Sequence, residues 1–590
     1  MTASKSLISV IGGLSFLVAG STQISAQQTA DEVAPEAATK PVFSLPANTV
    51  KSKNWMVAIA NPYAANAAAD VLRQGGNAID AAIATQLVLG LVEPQSSGLG
   101  GGAFLVYYDA KSKKLTTLDG RETAPMAATQ NLFLKPDGEK MKFFDAVVGG
   151  RSVGVPGTPK LLETMSQKWG SKPWADLFKP AITLSDEGFI VSPRLAGLVK
   201  QGEKHLTRHK PTGDYFFPAG VALEMGKRLT NPLYTKTLRD LAANGTNPFY
   251  KGAIGAAIVQ TVQGFTPNPG LMTKADLAAY QVKEREPVCA PYRQLQVCGM
   301  GPPSSGALTV GQILGLLEPH DLANRSPNDA DTWRLIGDAS RLAFADRGRY
   351  MADIDFVKMP LKGLLKPSYL KSRSRLLAGT AALENAPVGE PEWDETALPL
   401  ADDDSLELPS TTHFTIVDKA GNVVSMTSTI ENGFGSRLMT NGFLLNNELT
   451  DFSFSPEKDG KPIANRVEPG KRPRSSMAPT IVMKDGKPIL AVGSPGGSRI
   501  IGYVAKTIIA HFDWGMNIQQ AISSPHLVNR FGTYDLEKGT AAEAFEPALQ
   551  GLGFKTKIRN LNSGLHGIAI SPDGLEGGAD ARREGIVLGE

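Results

Sequence analysis

The sequence predicts an α+β sandwich rather than a doubly wound parallel sheet. Helical patterns dominate residues 157–283, whereas strand patterns joined by short turns dominate the chain after residue 411. Runs of helices followed by runs of strands are typical of α+β folds, and short turns join antiparallel strands. At 590 residues the chain is long enough for several domains or for one large composite domain.

Composition and charge indicate a globular protein and exclude several kinds of partner. Hydrophobic residues make up 42% of the chain, charged residues make up 20%, and the net charge is +3. Because the charges of both signs are interspersed, the sequence predicts neither a nucleic-acid-binding surface nor a charged tail for a partner.

The first 26 residues have the pattern of a secretory signal peptide. Lys5 supplies a positive charge, residues 7–19 are mostly apolar, and Ala26 offers a small residue for cleavage. The apolar run is short for a bilayer span, and no other run reaches membrane length. We therefore expect a periplasmic or secreted protein with no membrane span after signal removal. An uncleaved anchor is the alternative.

The first part of the chain predicts two helices and a glycine loop. Residues 62–93 are rich in alanine, with a break at residues 75–77 and a second, amphipathic helix from Ala78. Residues 98–103 then fit the dinucleotide pattern G-x-G-x-x-A, but that fingerprint needs a strand before it and a helix after it. Here a strand, residues 104–108, follows the loop. We therefore predict a backbone that approaches another part of the molecule closely.

The middle of the chain contains a cysteine pair and an acidic segment. Cys289 and Cys298 flank a stretch that can fold as a hairpin. The sequence is compatible with a local disulfide and with two buried free thiols. Residues 308–317 and 331–345 predict further helices. Residues 389–409 are acidic and irregular, and we expect them to be exposed, so that a cut just after them is sterically possible.

A hairpin beginning near residue 411 carries the candidate nucleophile. Residues 414–429 alternate like two strands around a turn at Ala420. With that turn, Thr411 lies opposite Thr429, at the separation where two hydroxyl groups hydrogen-bond. If the chain were cut before Thr411, this residue would be an N-terminal nucleophile at the head of a strand. The alternative is a threonine-rich edge hairpin, because threonine is common in strands.

A second hairpin and several negative findings limit the chemistry. Residues 480–492 predict two strands that lead into the glycine loop at residues 493–497. His205 and His209 are four residues apart on a predicted helix, but the zinc-protease pattern requires a glutamate that is missing here. We predict no metal site and no cofactor, and the sequence offers no serine nucleophile elbow.

The remaining motifs follow one another in an order that matches a known family. The matching runs are residues 75–78, 80–82, 96–104, 119–125, 302–306, 411–413, 445–448, 451–452, 472–477 and 493–499. In these runs the sequence resembles the gamma-glutamyltranspeptidase family over essentially the whole chain after the signal. The resemblance implies an N-terminal-nucleophile hydrolase fold, an αββα sandwich of two stacked, mainly antiparallel sheets between helical layers.

The resemblance also implies a precursor that cuts itself between Ser410 and Thr411. The products would be a large subunit, residues 27–410, and a small subunit, residues 411–590, which together form one composite domain. The freed α-amine of Thr411 would act as general base for its own hydroxyl group, which removes the need for a catalytic histidine.

The resemblance assigns roles to the remaining site residues. Thr429 would orient the nucleophile, and the backbone N–H groups of Gly496 and Gly497 would form the oxyanion hole. The implied substrates are glutathione or other γ-glutamyl compounds as donors, with water, amino acids or peptides as acceptors. The implied contacts to the donor are its α-carboxylate with Arg121, Ser475 and Ser476, and its α-ammonium with Glu431, Glu448 and Asp451.

The sequence also supports alternatives for the role of Arg121 and for the function, and it predicts the form of the cleft. The alternative partners of Arg121 are Glu122 and Asp119 in a structural salt bridge. The stretch between Asp451 and Ser475 has aromatic residues only at its start, so we expect a short or absent lid and an open cleft. The alternative functions are a cephalosporin (glutaryl) acylase or a poly-γ-glutamate-processing enzyme on the same fold, and a processed but inactive binding protein.

Overall fold

Two seven-stranded antiparallel sheets form the centre of the molecule in the computed structural model, which describes residues 48–394 and 396–590. The predicted signal peptide lies outside the described residues. The strands are β1 Val50–Ser52, β2 Met56–Ile59, β3 Gly102–Asp109, β4 Lys114–Gly120, β5 Phe189–Ile190, β6 Arg228–Leu229, β7 Lys283–Arg285, β8 Val288–Tyr292, β9 Leu295–Gly299, β10 Thr412–Val417, β11 Val423–Thr429, β12 Met439–Thr440, β13 Phe443–Leu444, β14 Glu457–Lys458, β15 Lys461–Pro462, β16 Thr480–Lys484, β17 Lys487–Gly493, β18 Leu527–Asn529, β19 Thr533–Glu537, β20 Lys555–Arg559, β21 His566–Ser571, β22 Gly574–Ala579 and β23 Ile586–Gly589.

The two sheets stack on each other and carry helices on their outer faces. The strand order is β23-β2-β10-β11-β3-β4-β7 in sheet I and β1-β22-β21-β17-β16-β9-β8 in sheet II. Strands β10 and β11 of sheet I contact β17 and β21 of sheet II. The helices are α1 Pro62–Arg73, α2 Ala78–Val92, α3 Phe143–Val147, α4 Thr158–Trp169, α5 Lys179–Glu187, α6 Pro193–Leu206, α7 Lys210–Phe216, α8 Pro232–Asn244, α9 Asn247–Tyr250, α10 Ala253–Gly264, α11 Lys274–Ala279, α12 Gly306–Leu317, α13 Ala330–Tyr350, α14 Leu361–Leu364, α15 Pro367–Ser374, α16 Ile500–Phe512, α17 Ile518–Ser523 and α18 Glu546–Gly551.

Helices α1, α2 and α4 lie against sheet I, and α12, α16 and α17 lie against sheet II. This arrangement of helix, sheet, sheet and helix confirms the predicted α+β sandwich. It buries one apolar cluster between sheet I and its helices and a second that extends from the space between the two sheets to the helices of sheet II. Within the described residues, no helix is both long and apolar enough to cross a membrane.

Helix α2 departs from its prediction. All of its residues are buried, so the expectation of an amphipathic helix is wrong. The helix is nevertheless compatible with burial because its one acidic side chain is satisfied at its N-terminus. The Asp80 carboxylate accepts hydrogen bonds from the N–H groups of Asn77 at 2.9 Å and Ser171 at 3.0 Å.

The structure also shows where the cysteine pair and the two histidines lie. Cys289 in β8 lies opposite Cys298 in β9, and the two residues form a disulfide bond. Helix α6 ends at Leu206, so His205 and His209 do not share a helix, contrary to the prediction. Among the residues that the structure describes, no cluster of three or more His, Cys, Asp or Glu side chains is arranged to hold a metal ion.

Candidate active site

The hairpin of β10 and β11 brings two threonine hydroxyl groups together in the middle of sheet I. Thr412 pairs with Ser428, which places Thr411 opposite Thr429, and the two Oγ1 atoms are 3.3 Å apart. The predicted register is therefore confirmed. The alternative of an edge hairpin is wrong, because β2 and β3 flank the hairpin on its two sides.

The hydroxyl group of Thr411 lies against the peptide bond that precedes it. It donates to the carbonyl oxygen of Ser410, and the Thr429 hydroxyl donates to the same oxygen at 3.2 Å. The N–H of Glu431 donates to Thr429 Oγ1 at 2.8 Å and fixes its position. Both residues of the bond are buried. The structure therefore brings a hydroxyl group and a hydrogen-bonded carbonyl together at the predicted cleavage point.

Charged residues behind the hairpin hold its first two residues in place. Arg583 donates from Nη1 to the carbonyl oxygen of Thr411 at 2.8 Å. Thr412 Oγ1 donates at 3.1 Å to Glu93, which is ion-paired with Arg194 at 2.7 Å. Burial and the neighbouring Glu584 raise the pKa of Glu93, whereas Arg194 and Arg583 lower it. The net result is a raised pKa. None of these charged groups was predicted from the sequence.

Glycines shape the backbone on both sides of the candidate nucleophile. A Cβ atom at Gly101 would collide with the carbonyl oxygen of Thr429, so the first glycine loop approaches β11 as closely as predicted. The second loop, after β17, contains Gly496 at φ 138° and Gly497 at φ 60°, which favour glycine. A Cβ at Gly497 would lie 2.9 Å from the carbonyl oxygens of Glu407 and Leu408. The loop therefore touches the segment that precedes the cleavage point.

Arg121 is paired with the acidic residues that were assigned to a different part of the donor. It follows β4, and its guanidinium donates to Glu448 and, at 2.6 Å, to Asp451. Its two remaining contacts are the carbonyl oxygens of Pro473 and Arg474. Asp119 accepts from the backbone N–H of Arg121 rather than from its guanidinium. Arg121 does form salt bridges, but the predicted alternative partners Glu122 and Asp119 are wrong, because the partners are Glu448 and Asp451.

The pKa values of the three acidic residues explain how so many carboxylates share one site. Burial first, and the nearby Glu448 second, raise the pKa of Glu431 to about 8. Burial also raises the pKa of Glu448 and, further still, the pKa of Asp451, although Arg121 opposes both shifts. Near neutral pH Glu431 therefore retains its proton, so the negative charge of the patch is smaller than three carboxylates suggest.

This protonation predicts a pH-dependent stability. The folded-state pKa of Glu431 exceeds its unfolded value, so its contribution to stability is present below pH 4.5 and is lost as pH rises through about 8. In a Thr411→Ala background, the free energy of unfolding should fall by as much as about 1.4 kcal/mol per pH unit between those pH values. Adding Glu431→Gln should abolish this fall. Urea unfolding at pH 5, 7 and 9 measures it. Parallel curves for the two proteins would contradict this assignment.

The acidic segment before the predicted cleavage point enters the site instead of remaining exposed. Glu407 is only 6% exposed, and its carboxylate accepts from Arg347 and from the hydroxyl of Ser476. Asp403 pairs with Arg474 at 2.9 Å. The expectation of an exposed segment is therefore wrong for its last residues, because basic side chains from other parts of the chain neutralise its carboxylates.

A small cavity of about 20 Å³ joins these groups. Its lining includes every predicted catalytic and donor-binding residue except Gly496, together with the end of the acidic segment. The lining residues are Arg121, Glu407, Leu408, Ser410, Thr411, Thr429, Glu431, Glu448, Asp451, Ser475, Ser476, Met477, Gly497 and Ile500.

Residues 452–474 do not line the cavity, and the short or absent lid stays a prediction. Phe454 instead stacks on Phe133, with the ring centroids 4.5 Å apart. The cleft is nevertheless small in the uncleaved chain, where Glu407, Leu408 and Ser410 form part of its lining. The predicted open cleft thus does not describe this form of the protein.

With this geometry in view, comparison with known proteins decides the family. The sequence profile described as gamma-glutamyltranspeptidase matches residues 64–590. The chain belongs to that family. A glutathione hydrolase proenzyme of Bacillus subtilis (strain 168) is 39% identical over 550 residues, which cover 91% of this chain and 92% of the relative. A proenzyme of the same name from Escherichia coli (strain K12) is 37% identical over 551 residues, covering 90% and 91%.

A solved structure agrees with the family assignment. The crystal structure of a cephalosporin acylase from Bacillus halodurans superposes with a TM-score of 0.81 at 27% sequence identity, covering 93% of this chain and 98% of that one. The resemblance seen in the sequence is confirmed. This gamma-glutamyltranspeptidase family member is an enzyme with the N-terminal-nucleophile hydrolase fold.

Proposed function

We propose that this gamma-glutamyltranspeptidase family member is a self-cleaving γ-glutamyl transferase and hydrolase with Thr411 as its nucleophile. The observation that carries the proposal is the contact between the Thr411 hydroxyl and the Ser410 carbonyl, which Thr429 also hydrogen-bonds. The proenzyme names of its relatives support the same conclusion.

Self-cleavage begins with attack of Thr411 Oγ1 on the carbonyl carbon of Ser410. The C–O bond forms, the C–N bond breaks, and the hydroxyl proton passes to the departing nitrogen, which leaves an ester. Water then hydrolyses the ester to a Ser410 carboxylate and a free Thr411. The products are the subunits 27–410 and 411–590. Because strands β2, β3 and β10 belong to one sheet, the two subunits stay together as one composite domain.

Turnover then uses the new N-terminus. The α-amine of Thr411 has a reference pKa near 8, so a fraction of it is unprotonated near neutral pH, and this form accepts the proton of its own hydroxyl group. The hydroxyl oxygen attacks the γ-carbonyl of the donor, and the N–H groups of Gly496 and Gly497 stabilise the oxyanion. A preorganised donor of this kind contributes about 3–4 kcal/mol. The leaving amine takes the proton, and water or an acceptor amine then releases the γ-glutamyl group.

Recognition of the donor uses two sets of side chains in the cavity, which meet where Arg121 contacts Glu448 and Asp451. The hydroxyl groups of Ser475 and Ser476, with Arg121, bind the α-carboxylate of the donor. Glu431, Glu448 and Asp451 bind its α-ammonium, and the positive charge of that group lowers their raised pKa values. A zwitterionic amino-acid head group therefore fits this cavity better than a glutaryl group, which has the carboxylate but lacks the ammonium.

Glutathione is the donor that we propose, with amino acids and peptides as acceptors beside water. We also propose that the first 26 residues direct export, so that the enzyme works in the periplasm or outside the cell. A cephalosporin acylase is the second candidate, because a solved acylase superposes along most of the chain. The ion-paired cavity, with its carboxylates facing Arg121, favours the amino-acid donor.

Assays with two substrates separate these functions. We expect the purified, processed enzyme to release glutamate from glutathione, and to transfer the γ-glutamyl group to glycylglycine when that acceptor is added. Glutaryl-7-aminocephalosporanic acid should be hydrolysed at least tenfold more slowly. The reverse preference would support the acylase, and a processed protein that acts on neither substrate would support a binding role.

A further inference from the structure

The carboxylate of Glu407 occupies a binding site that is built by distant parts of the chain. Arg347 from α13 and the hydroxyl group of Ser476 both donate to it, and Arg474 Nε lies 3.7 Å from the same carboxylate. All four side chains are buried. Burial alone would raise the pKa of Glu407, but the two guanidinium groups lower it, so this site holds an ionised carboxylate.

Arg347 is held in its position by groups other than Glu407. Its Nε donates to Ser305 Oγ at 2.7 Å, and its Nη2 donates to Ser476 Oγ at 2.8 Å. Two hydroxyl groups from different segments therefore fix the plane of the guanidinium. The same contact orients the hydroxyl of Ser476, which lines the cavity beside Thr411.

Cleavage removes the partner of this arginine. Glu407, Leu408 and Ser410 line the cavity in the uncleaved chain, so they must withdraw before a donor can enter it. Withdrawal leaves Arg347 next to Arg474, which is itself paired with Asp403. A buried cation without a partner is unfavourable, and a carboxylate brought by a ligand restores the pair. Arg121 differs, because Glu448 and Asp451 remain beside it.

We propose that Arg347 is a positioning residue for the donor's α-carboxylate: it orients the Ser476 hydroxyl and supplies a second cation to that subsite. Before cleavage, the side chain of Glu407 takes the place of the donor's carboxylate. The ligand is therefore the carboxylate of an α-amino acid joined through its γ-carbonyl. This inference rests on the proposed γ-glutamyl transfer and identifies a determinant of donor specificity outside the cavity lining.

The test compares two donors that differ only in the α-carboxylate. L-γ-Glutamyl-p-nitroanilide carries it, and 4-aminobutyryl-p-nitroanilide lacks it. We expect Arg347→Gln to raise KM for the first donor by about 10–100-fold with a smaller change in kcat, and to leave kcat/KM for the second within threefold. Arg347→Lys, which retains the charge, should recover part of the loss. Equal losses on both donors would overturn the proposal and indicate a structural role.

A second measurement needs no variant of the enzyme, in case Arg347→Gln does not mature. A synthetic peptide of residues 402–410 should inhibit the mature wild-type enzyme competitively with the γ-glutamyl donor. The Glu407→Gln peptide should inhibit at least tenfold more weakly, whereas an Asp404→Asn peptide, altered at an exposed residue, should differ little. Equal inhibition by all three peptides would overturn the proposal, and so would the absence of inhibition by any of them. A wild-type enzyme that turns over no γ-glutamyl donor would instead contradict the proposed function.

Discussion

Thr411→Ala should remain a single chain and should lose essentially all turnover. The hydroxyl that contacts the Ser410 carbonyl is then missing, so no ester forms and no N-terminal amine is released. Loss of a nucleophile typically lowers kcat by about 10⁴-fold or more, and here the loss of the amine adds to it. A denaturing gel follows cleavage, and p-nitroaniline release follows turnover.

Thr411→Ser is the matched control because it retains the hydroxyl group. It should still be cut, at a reduced rate, and N-terminal sequencing of its smaller band should begin with Ser-Thr-His-Phe. The wild-type band should begin with Thr-Thr-His-Phe. A fully active wild-type protein that remains one chain would contradict the mechanism, and so would normal cleavage of the alanine variant.

The position of the candidate nucleophile was predictable because it depends on local structure. A turn at Ala420 fixes the pairing of the strands on either side of it, and strand pairing fixes which side chains face each other. The contact between Thr411 and Thr429 therefore follows from counting residues. The close approach of the first glycine loop was predictable for a similar reason, since only glycine admits a backbone at that distance.

The charged surroundings of the candidate nucleophile were not predictable in the same way. Arg347 lies 60 residues before Glu407, and Arg583 lies 172 residues after Thr411, so only the folded chain reveals these contacts. The acidic composition of residues 389–409 indicated exposure. Composition carries no information on whether distant basic side chains meet those carboxylates, and here several of them do.

The amphipathic interpretation of α2 failed for a related reason. Asp80 suggested a polar face, but its carboxylate caps its own helix and accepts hydrogen bonds from a loop 91 residues away. A buried carboxylate with enough donors is compatible with an otherwise apolar environment. The sequence alone does not distinguish such a capped residue from one that faces water.

Arg121→Met should produce the largest loss of stability among the donor-site variants. Its guanidinium is the cation that pairs with Glu448 and Asp451, and Glu122 and Glu431 lie in the same buried region. Removing one partner of a buried ion pair typically costs about 3–5 kcal/mol. We expect a loss of that size at pH 7.5 in a Thr411→Ala background, where the protein is one chain and urea unfolding is simplest to interpret.

The pH dependence of this loss identifies its cause. Without the guanidinium, the pKa values of the buried carboxylates rise further above their unfolded values, so the folded state tolerates these groups protonated but not ionised. Stability is then retained at low pH and lost as pH rises, and the difference between Arg121→Met and its parent should shrink at pH 5. Arg121→Lys keeps the charge without the two-pronged geometry and should fall between them. If the loss of stability is the same at pH 5 and pH 7.5, lost packing rather than lost charge accounts for it. The acidic residues of the cavity would then not require the positive charge of Arg121 for stability.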